Sequence, residues 1–166
     1  SVDFDFFSER EIEPGLLTKV EGVFKRAAVT TVLNTPEQLT VRVDGTNLTF
    51  LTYRFPPIDD PIVYEGVRLF TVPDIAATKA YALGRRATLK DYVDLYFIMA
   101  EGHCALAAIT AIAQKKYGDL FDPRLFFEQL VYLNDVADEK IQFLKPPVGK
   151  AAIEQFFTKE IANIRI

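Results

Sequence analysis

The acidic residues at the start of the sequence have a spacing that could bind a metal ion. Asp3 and Asp5 alternate with apolar residues, as residues of a half-exposed strand do. Residues two apart on a strand share a face, so these carboxylates would lie about 6–7 Å apart, with Val2, Phe4 and Phe6 facing the core. Paired carboxylates hold Mg²⁺ against phosphate groups in many enzymes. The alternative is an edge strand with one solvated acidic face.

A second group of charged residues falls in two predicted helices near the middle of the chain. The helix predicted over residues 89–101 is apolar on nearly all sides and contains Asp94, so we expect that carboxylate to be buried. A buried carboxylate needs a cation or takes up a proton. The nearby cations are Lys79, Arg85, Arg86 and Lys90. From the pattern alone, an ion pair that fixes helix packing is favoured over a catalytic role, with Asp91 completing the helix cap.

The first half of the sequence predicts the strands that would position the acidic pair. Strands are expected over residues 2–7, 28–34, 39–43, 46–53 and 67–70, with one helix over residues 14–26. Asp44 and Gly45 favour a two-residue hairpin turn, because a type I′ turn needs positive φ at both central positions. A loop rich in proline and aspartate follows at residues 54–61.

The second half predicts helices. They are expected over residues 73–83, 89–101, 104–117, 123–133 and 151–164. Thr71 and Thr88 each stand three residues before an aspartate, which is typical of a capping box. Strands followed by helices indicate an α+β fold with a mixed or antiparallel sheet. We expect a sheet region over residues 1–70 and a helical region over residues 71–166, packed as one unit.

Composition excludes several classes of protein. A net charge of −4 and a pI near 5.1 argue against a protein whose main affinity is for the nucleic-acid backbone. The single cysteine, Cys104, cannot form an internal disulfide. No apolar run approaches the ~20 residues of a membrane span, and the first residues lack the features of a signal peptide. We therefore expect a cytoplasmic protein without a membrane partner.

Two stretches of sequence resemble one known family. The opening SVDFDFFSER and the later stretch GVRLFTVPDIAATKAYALGRRATLKDYVDLYFIM are similar to the AbiEii/AbiGii nucleotidyltransferase toxins, which resemble polymerase-β-like nucleotidyltransferases. The similarity extends from Asp3 to about Phe127. The combination of Asp-Ile-Ala-Ala-x-Lys with Lys-Asp-x-x-Asp-Leu-Tyr-Phe, at this spacing, is highly specific.

The resemblance implies an activity and a set of site residues. Family members are toxins of toxin–antitoxin and abortive-infection (phage-defence) systems that use an NTP and a divalent metal, and some relatives modify tRNA ends. Asp3 and Asp5 match the carboxylate pair that binds Mg²⁺ or Mn²⁺. The residues implied for the nucleotide site are Lys79 and Asp94 as catalytic groups, with Arg85, Arg86, Lys90 and Asp91 as binding or supporting groups.

The sequence departs from the family pattern at two places. The glycine-rich turn and helix that stand before the carboxylate pair in family members are not found here, so the sheet region is expected to lack its first helices. A third carboxylate is usual on the return strand of the hairpin, where this sequence has Thr49. A threonine hydroxyl cannot supply a carboxylate's charge to a metal site.

These observations lead to two main functional hypotheses. A third, an unrelated α+β binding domain with a coincidental acidic strand, is disfavoured by the specific motif stretch. The first is a metal-dependent nucleotidyltransferase toxin that transfers a nucleotide from an NTP to an RNA or protein hydroxyl. Its expected partners are an NTP, an RNA such as tRNA, and a cognate antitoxin protein. The second is a catalytically degenerate member that keeps the fold as a binding or interaction module.

Overall fold

Strands dominate the first part of the chain and helices the second, which confirms the α+β prediction. The computed structural model describes residues 3–164, so Val2, expected in the first strand, lies outside the described residues. The chain divides into two compact units, a sheet unit of residues 1–56 and a helical unit of residues 57–166. The packing of a sheet region and a helical region as one unit stays a prediction.

The sheet unit contains four strands and one helix. Its elements are β1 (Asp3–Ser8), α1 (Leu16–Val23), β2 (Val29–Asn34), β3 (Gln38–Val43) and β4 (Thr46–Thr52). The order across the sheet is β1-β4-β3-β2. β1 runs parallel to β4, whereas the other neighbours are antiparallel. The sheet is therefore mixed, and β1 lies at its edge.

The turn between β3 and β4 fixes the register of the hairpin. Asp44 has a φ of 48° and Gly45 a φ of 87°, the two positive angles of a type I′ turn. Val43 then pairs with Thr46, and the pairing continues without a bulge along the two strands. The predicted hairpin is confirmed.

The core of the sheet unit lies on one face of the sheet. Alternate residues of β3 are buried there with Val20 of α1: Leu39, Val41 and Val43. Phe4 and Phe6 share this face but remain 50% and 41% exposed, because β1 is the edge strand. The expectation that they face the core is thus right about the face and wrong about the degree of burial.

The helical unit begins with a short hairpin. Its elements are β5 (Ile62–Tyr64), β6 (Val67–Leu69), α2 (Val72–Leu83), α3 (Leu89–Ala100), α4 (Leu106–Tyr117), a 3₁₀ turn (Gly118–Leu120), α5 (Pro123–Leu130) and α6 (Lys150–Ala162). α2 packs against α3, α4 and α5. The fully buried Ala76 and Ala77 on α2 allow this close approach. Between residues 3 and 164, no helix has the length and apolar character needed to cross a bilayer.

The two predicted capping boxes have different outcomes. Thr71 caps α2 as expected, since its side chain accepts a hydrogen bond from the Asp74 backbone N–H at 3.3 Å. Thr88 precedes α3 but makes no such cap. Its hydroxyl instead donates to the Asp91 carboxylate at 2.8 Å. The threonine therefore supports a buried charge rather than a helix end.

An ion pair is completely buried in the helical unit. Lys116 Nζ of α4 lies 2.7 Å from Asp74 Oδ1 of α2, and both side chains are 0% exposed. The same carboxylate accepts hydrogen bonds from the backbone N–H groups of Ile58 and Asp59. Burial alone would raise the pKa of Asp74, but these hydrogen bonds, led by that from Lys116, outweigh it and lower the pKa. The pair thus joins two helices and the loop before the hairpin.

Removing the lysine of this pair should destabilise the protein strongly. We expect Lys116→Met to lower the free energy of unfolding by about 3–5 kcal/mol, because Asp74 would stay buried without its cation. The exposed neighbour Lys115 provides the matched control, and Lys115→Met should change stability by less than about 0.5 kcal/mol. Urea denaturation followed by circular dichroism measures both. Equal effects of the two substitutions would contradict the assigned role of the pair.

Candidate functional site

The acidic pair lies on one face of the edge strand. Asp3 and Asp5 are both in β1, so the alternation of a strand places their side chains on the same side of the sheet. In the parallel register, Asp3 is beside Asn47 and Asp5 is beside Thr49. This is the face opposite the apolar core. The pair is therefore displayed on a polar sheet surface.

Asp3 is held by a neighbouring amide. Asn47 Nδ2 donates a hydrogen bond to Asp3 Oδ1 at 2.8 Å. The other end of the amide, Asn47 Oδ1, accepts from Arg42 Nε at 3.0 Å. The three side chains belong to three adjacent strands, β1, β4 and β3. One carboxylate of the pair thus has a fixed hydrogen-bonded neighbour.

The position next to Asp5 is occupied by a hydroxyl group. Thr49 stands directly beside Asp5, and its oxygen accepts a hydrogen bond from Thr40 at 3.3 Å. Among the residues that the structure describes, no group of three or more His, Cys, Asp or Glu side chains could hold a metal ion. Two carboxylates nevertheless fit Mg²⁺, which is commonly bound through one or two carboxylates and completed by waters and substrate phosphates.

A second cluster is formed by the charged residues of α2 and α3. Lys79 Nζ lies 2.9 Å from Asp91 Oδ1 and 2.7 Å from Asp94 Oδ2. Arg86 contacts both oxygens of Asp91, through Nη2 and Nε at 3.3 Å each. With the Thr88 hydroxyl, the Asp91 carboxylate has four contacts with donor atoms. The helical unit therefore brings together four of the predicted residues.

The roles of the two aspartates of α3 are the reverse of those expected. Asp94 was predicted to be buried, but its side chain is 48% exposed. Asp91, expected only to complete a cap, has a side chain that is 1% exposed. The pattern of α3 is apolar on nearly all sides and does not show which side faces solvent. In the structure the helix turns Asp94 outward and Asp91 inward. Asp91 is the buried carboxylate that needs cations.

The charges of this cluster stabilise one another. Burial alone would raise the pKa of Asp91, but Lys79, Thr88 and Arg86 together lower it. Burial alone would lower the pKa of Lys79, but Asp94 and Asp91 together raise it. Both groups are therefore held in their charged forms near neutral pH.

Two predicted cations lie apart from this cluster. Arg85 donates to the backbone oxygens of Tyr81 and Leu120 at 3.3 Å each, with its guanidinium 3.5 Å from the centre of the Tyr81 ring. Lys90 is exposed on α3, and the partner proposed for it, Asp94, pairs with Lys79 instead. The structure thus brings Lys79, Arg86, Asp91 and Asp94 together and leaves the other two outside.

Several polar contacts were not foreseen from the sequence. Asn47 contacts Asp3, and Arg42 contacts Asn47. The hairpin turn contained a clue to the second contact, because it sets Arg42 opposite Asn47. Lys116 stands in the apolar stripe of α4, a position where a lysine needs an acidic partner. The identity of that partner, Asp74, had no signal in the sequence.

Comparisons with known proteins give a family, one relative in sequence and two similar solved structures. Residues 1–162 match the family described as Nucleotidyl transferase AbiEii toxin, Type IV TA system. The chain is 28% identical over 163 residues to the uncharacterized protein aq_aa25 of Aquifex aeolicus (strain VF5), covering 97% of this chain and 78% of that protein.

Two crystal structures are also similar. JHP933 from Helicobacter pylori is 16% identical with a TM-score of 0.48, and the match covers 98% of this chain and 77% of that one. A putative nucleotidyltransferase from H. pylori is 14% identical with a TM-score of 0.45, covering 100% of this chain and 81% of that one.

The two aspartates of α3 should differ in their effect on stability. We expect Asp91→Asn to lower the free energy of unfolding by about 3 kcal/mol, because it weakens the charged contacts of a buried group. Asp94→Asn should cost less than about 1 kcal/mol, since that side chain is half exposed. Urea titration of both variants makes the comparison. A larger loss in Asp94→Asn would refute the assignment of Asp91 as the buried carboxylate.

Stability should decrease in acid because of Asp91 and Asp74. Both have a pKa in the folded protein below the ordinary value of 3.8, so their contribution is present above that pH and is lost as pH falls through the folded value. The free energy of unfolding should therefore fall below about pH 4, and less steeply in Asp91→Asn. Lys79 has the opposite sign: its contribution is lost only as pH rises above its ordinary pKa of 10.5. Urea unfolding at a series of pH values tests this, and identical acid slopes in the parent and Asp91→Asn would speak against it.

Proposed function

Because the chain belongs to the AbiEii nucleotidyl transferase toxin family, we propose that it is a toxin that transfers a nucleotide from an NTP to an RNA or protein hydroxyl. The observation that carries the proposal is the location of Asp3 and Asp5 on one polar face of β1. The proposed partners are the NTP, an RNA such as tRNA, and a cognate antitoxin. The proposed location is the cytoplasm.

Asp3 and Asp5 are the proposed ligands of Mg²⁺ or Mn²⁺. The ion would supply positive charge to the triphosphate and lower the pKa of an attacking hydroxyl. The protein's own part is to hold two carboxylates on a rigid sheet, with the Asp3 carboxylate oriented by Asn47. Thr49 adds no negative charge beside Asp5. The proposed site therefore has ligands for one metal ion rather than for two.

The cluster of Lys79, Arg86, Asp91 and Asp94 is the proposed support of the nucleotide site. Asp94 pairs with Lys79, and its side chain is 48% exposed. A ligand can therefore reach its carboxylate. Asp91, Arg86 and Thr88 in turn fix the position of Lys79 and the start of α3. We propose Lys79 and Asp94 as groups that act at the nucleotide. Lys90 is proposed as an exposed cation for phosphate, whereas Arg85 supports the helical unit through Tyr81.

A binding module without turnover is the alternative function. The observation that favours it is Thr49, whose hydroxyl stands beside Asp5 where family members usually have a third acid. Such a module would bind an NTP or a macromolecule through the same face and transfer nothing. Nucleotide transfer by this chain, or by a longer chain that contains it, would eliminate this alternative.

The metal-binding role of Asp5 can be tested by nucleotide binding. We expect calorimetric titration with ATP, GTP, CTP and UTP to show binding to at least one NTP that requires Mn²⁺. Asp5→Asn should weaken that binding by more than about 10-fold, because it removes a metal ligand. Asp60→Asn, which makes the same change at an exposed aspartate of the helical unit, should leave it unchanged.

The same samples then enter transfer assays with labelled NTP and, as acceptor, total RNA, tRNA or total cell protein. Transfer that depends on Mn²⁺ and Asp5 supports the enzyme, and binding without transfer to RNA or protein supports the module. If Asp5→Asn binds the NTP as tightly as the parent, the acidic pair is not the metal site.

A further inference from the structure

Three side chains on adjacent strands form a directed chain of hydrogen bonds. Arg42 Nε donates to Asn47 Oδ1 at 3.0 Å, and Asn47 Nδ2 donates to Asp3 Oδ1 at 2.8 Å. An arginine can only donate and an ionised carboxylate can only accept. The two ends of the amide are therefore determined by their neighbours, and Asn47 has a single consistent orientation. A residue with only donors or only acceptors could not link this pair.

The backbone fixes all three positions independently of the side chains. The two-residue turn at Asp44 and Gly45 sets Arg42 opposite Asn47 in the hairpin. The parallel ladder sets Asn47 beside Asp3. Asn47 is half buried, so its hydrogen bonds compete less with water than those of an exposed amide would. The geometry is therefore built into the sheet.

We propose that Asn47 and Arg42 are positioning residues for the metal-binding carboxylate Asp3. The proposal rests on the proposed function, in which Asp3 and Asp5 bind the metal. Asn47 restricts the rotation of the Asp3 carboxylate, and Arg42 restricts Asn47 in turn. Groups that hydrogen-bond a metal ligand commonly change metal affinity by about 10–100-fold when they are removed. The amide thus takes part in organising the site although it is not itself a ligand.

The competing explanation is a cross-strand contact that only stabilises the sheet. A structural contact of this kind would affect unfolding and leave the affinity of the folded protein for a metal unchanged. A positioning role predicts that removing the contact lowers the affinity of the folded protein for the metal. Metal affinity measured without nucleotide therefore separates the two explanations, because it does not depend on catalysis.

The test is a titration of the chain with Mn²⁺ alone, in which free Mn²⁺ is measured by electron paramagnetic resonance. We expect Asn47→Leu to weaken binding by about 10–100-fold. The matched control is Gln38→Leu, which removes a half-buried amide that donates to Thr40 on the same face, away from Asp3. That variant should bind within about 2-fold of the parent. Urea denaturation verifies that each variant is folded.

A double-mutant cycle tests whether Arg42 acts through Asn47. Arg42→Met, at an exposed position, should weaken Mn²⁺ binding by itself but add nothing in the Asn47→Leu background. Arg42→Lys keeps a donor and should recover part of the affinity. Additive effects of Arg42→Met and Asn47→Leu on Mn²⁺ binding would show that Arg42 does not act through Asn47.

The failure of this proposal can be distinguished from that of the proposed function. If Asp5→Asn abolishes Mn²⁺ binding while Asn47→Leu binds like the parent, the positioning role is wrong and the metal-binding pair stands. If the parent and Asp5→Asn give the same titration, both the metal-binding pair and the positioning role are wrong.

Discussion

The parallel pairing of β1 with β4 decides what surrounds the acidic residues of the sheet unit. It places an amide beside Asp3 and a hydroxyl beside Asp5, and a shift of one residue would turn both carboxylates toward the apolar face. The Asn47 amide donates a hydrogen bond to the Asp3 carboxylate and so stabilises its negative charge. Two carboxylates on one strand repel each other, and the hydrogen bond from Asn47 reduces the need for a cation to relieve that repulsion. The hydrogen bond from Asn47 therefore stabilises the Asp3 carboxylate on this face.

The carboxylates of the helical unit lie in a different environment from those of the sheet unit. Asp74 and Asp91 are buried, and each is paired with a lysine and accepts further hydrogen bonds. Asp94 shares Lys79 with Asp91 but lies at the surface. One lysine thus connects a carboxylate that serves packing with a carboxylate that a ligand can reach. Substitution of Lys79 would change both, and for this reason the two aspartates are more informative targets than the lysine between them.

Local patterns in the sequence predicted the elements well but not the contacts between distant ones. The Asp44-Gly45 turn, the cap at Thr71 and the helices α1 to α6 could be found because each depends on residues close in sequence. Helix ends differed by a few residues, since terminal turns fray. The burial of Asp91 and the exposure of Asp94 could not be predicted from the pattern of α3. Apolar residues lie on nearly all sides of this helix, so its solvent-facing side is decided by the helices that pack against it. The contact of Asn47 with Asp3 requires knowing that β1 joins β4 in parallel, and no local signal encodes that choice.

The separation of these partners along the chain has a consequence for synthesis. Asp3 and Asn47 are 44 residues apart, and a parallel pair cannot close through a tight turn. At translation rates of ~5–20 residues per second, β4 is made about 2–9 s after β1. The β3–β4 hairpin needs only local closure, whereas docking of β1 also costs the entropy of a long loop. During this interval the two aspartates are on an unpaired segment without their amide neighbour. The proposed metal site is therefore not assembled in the nascent chain until β1 docks beside β4.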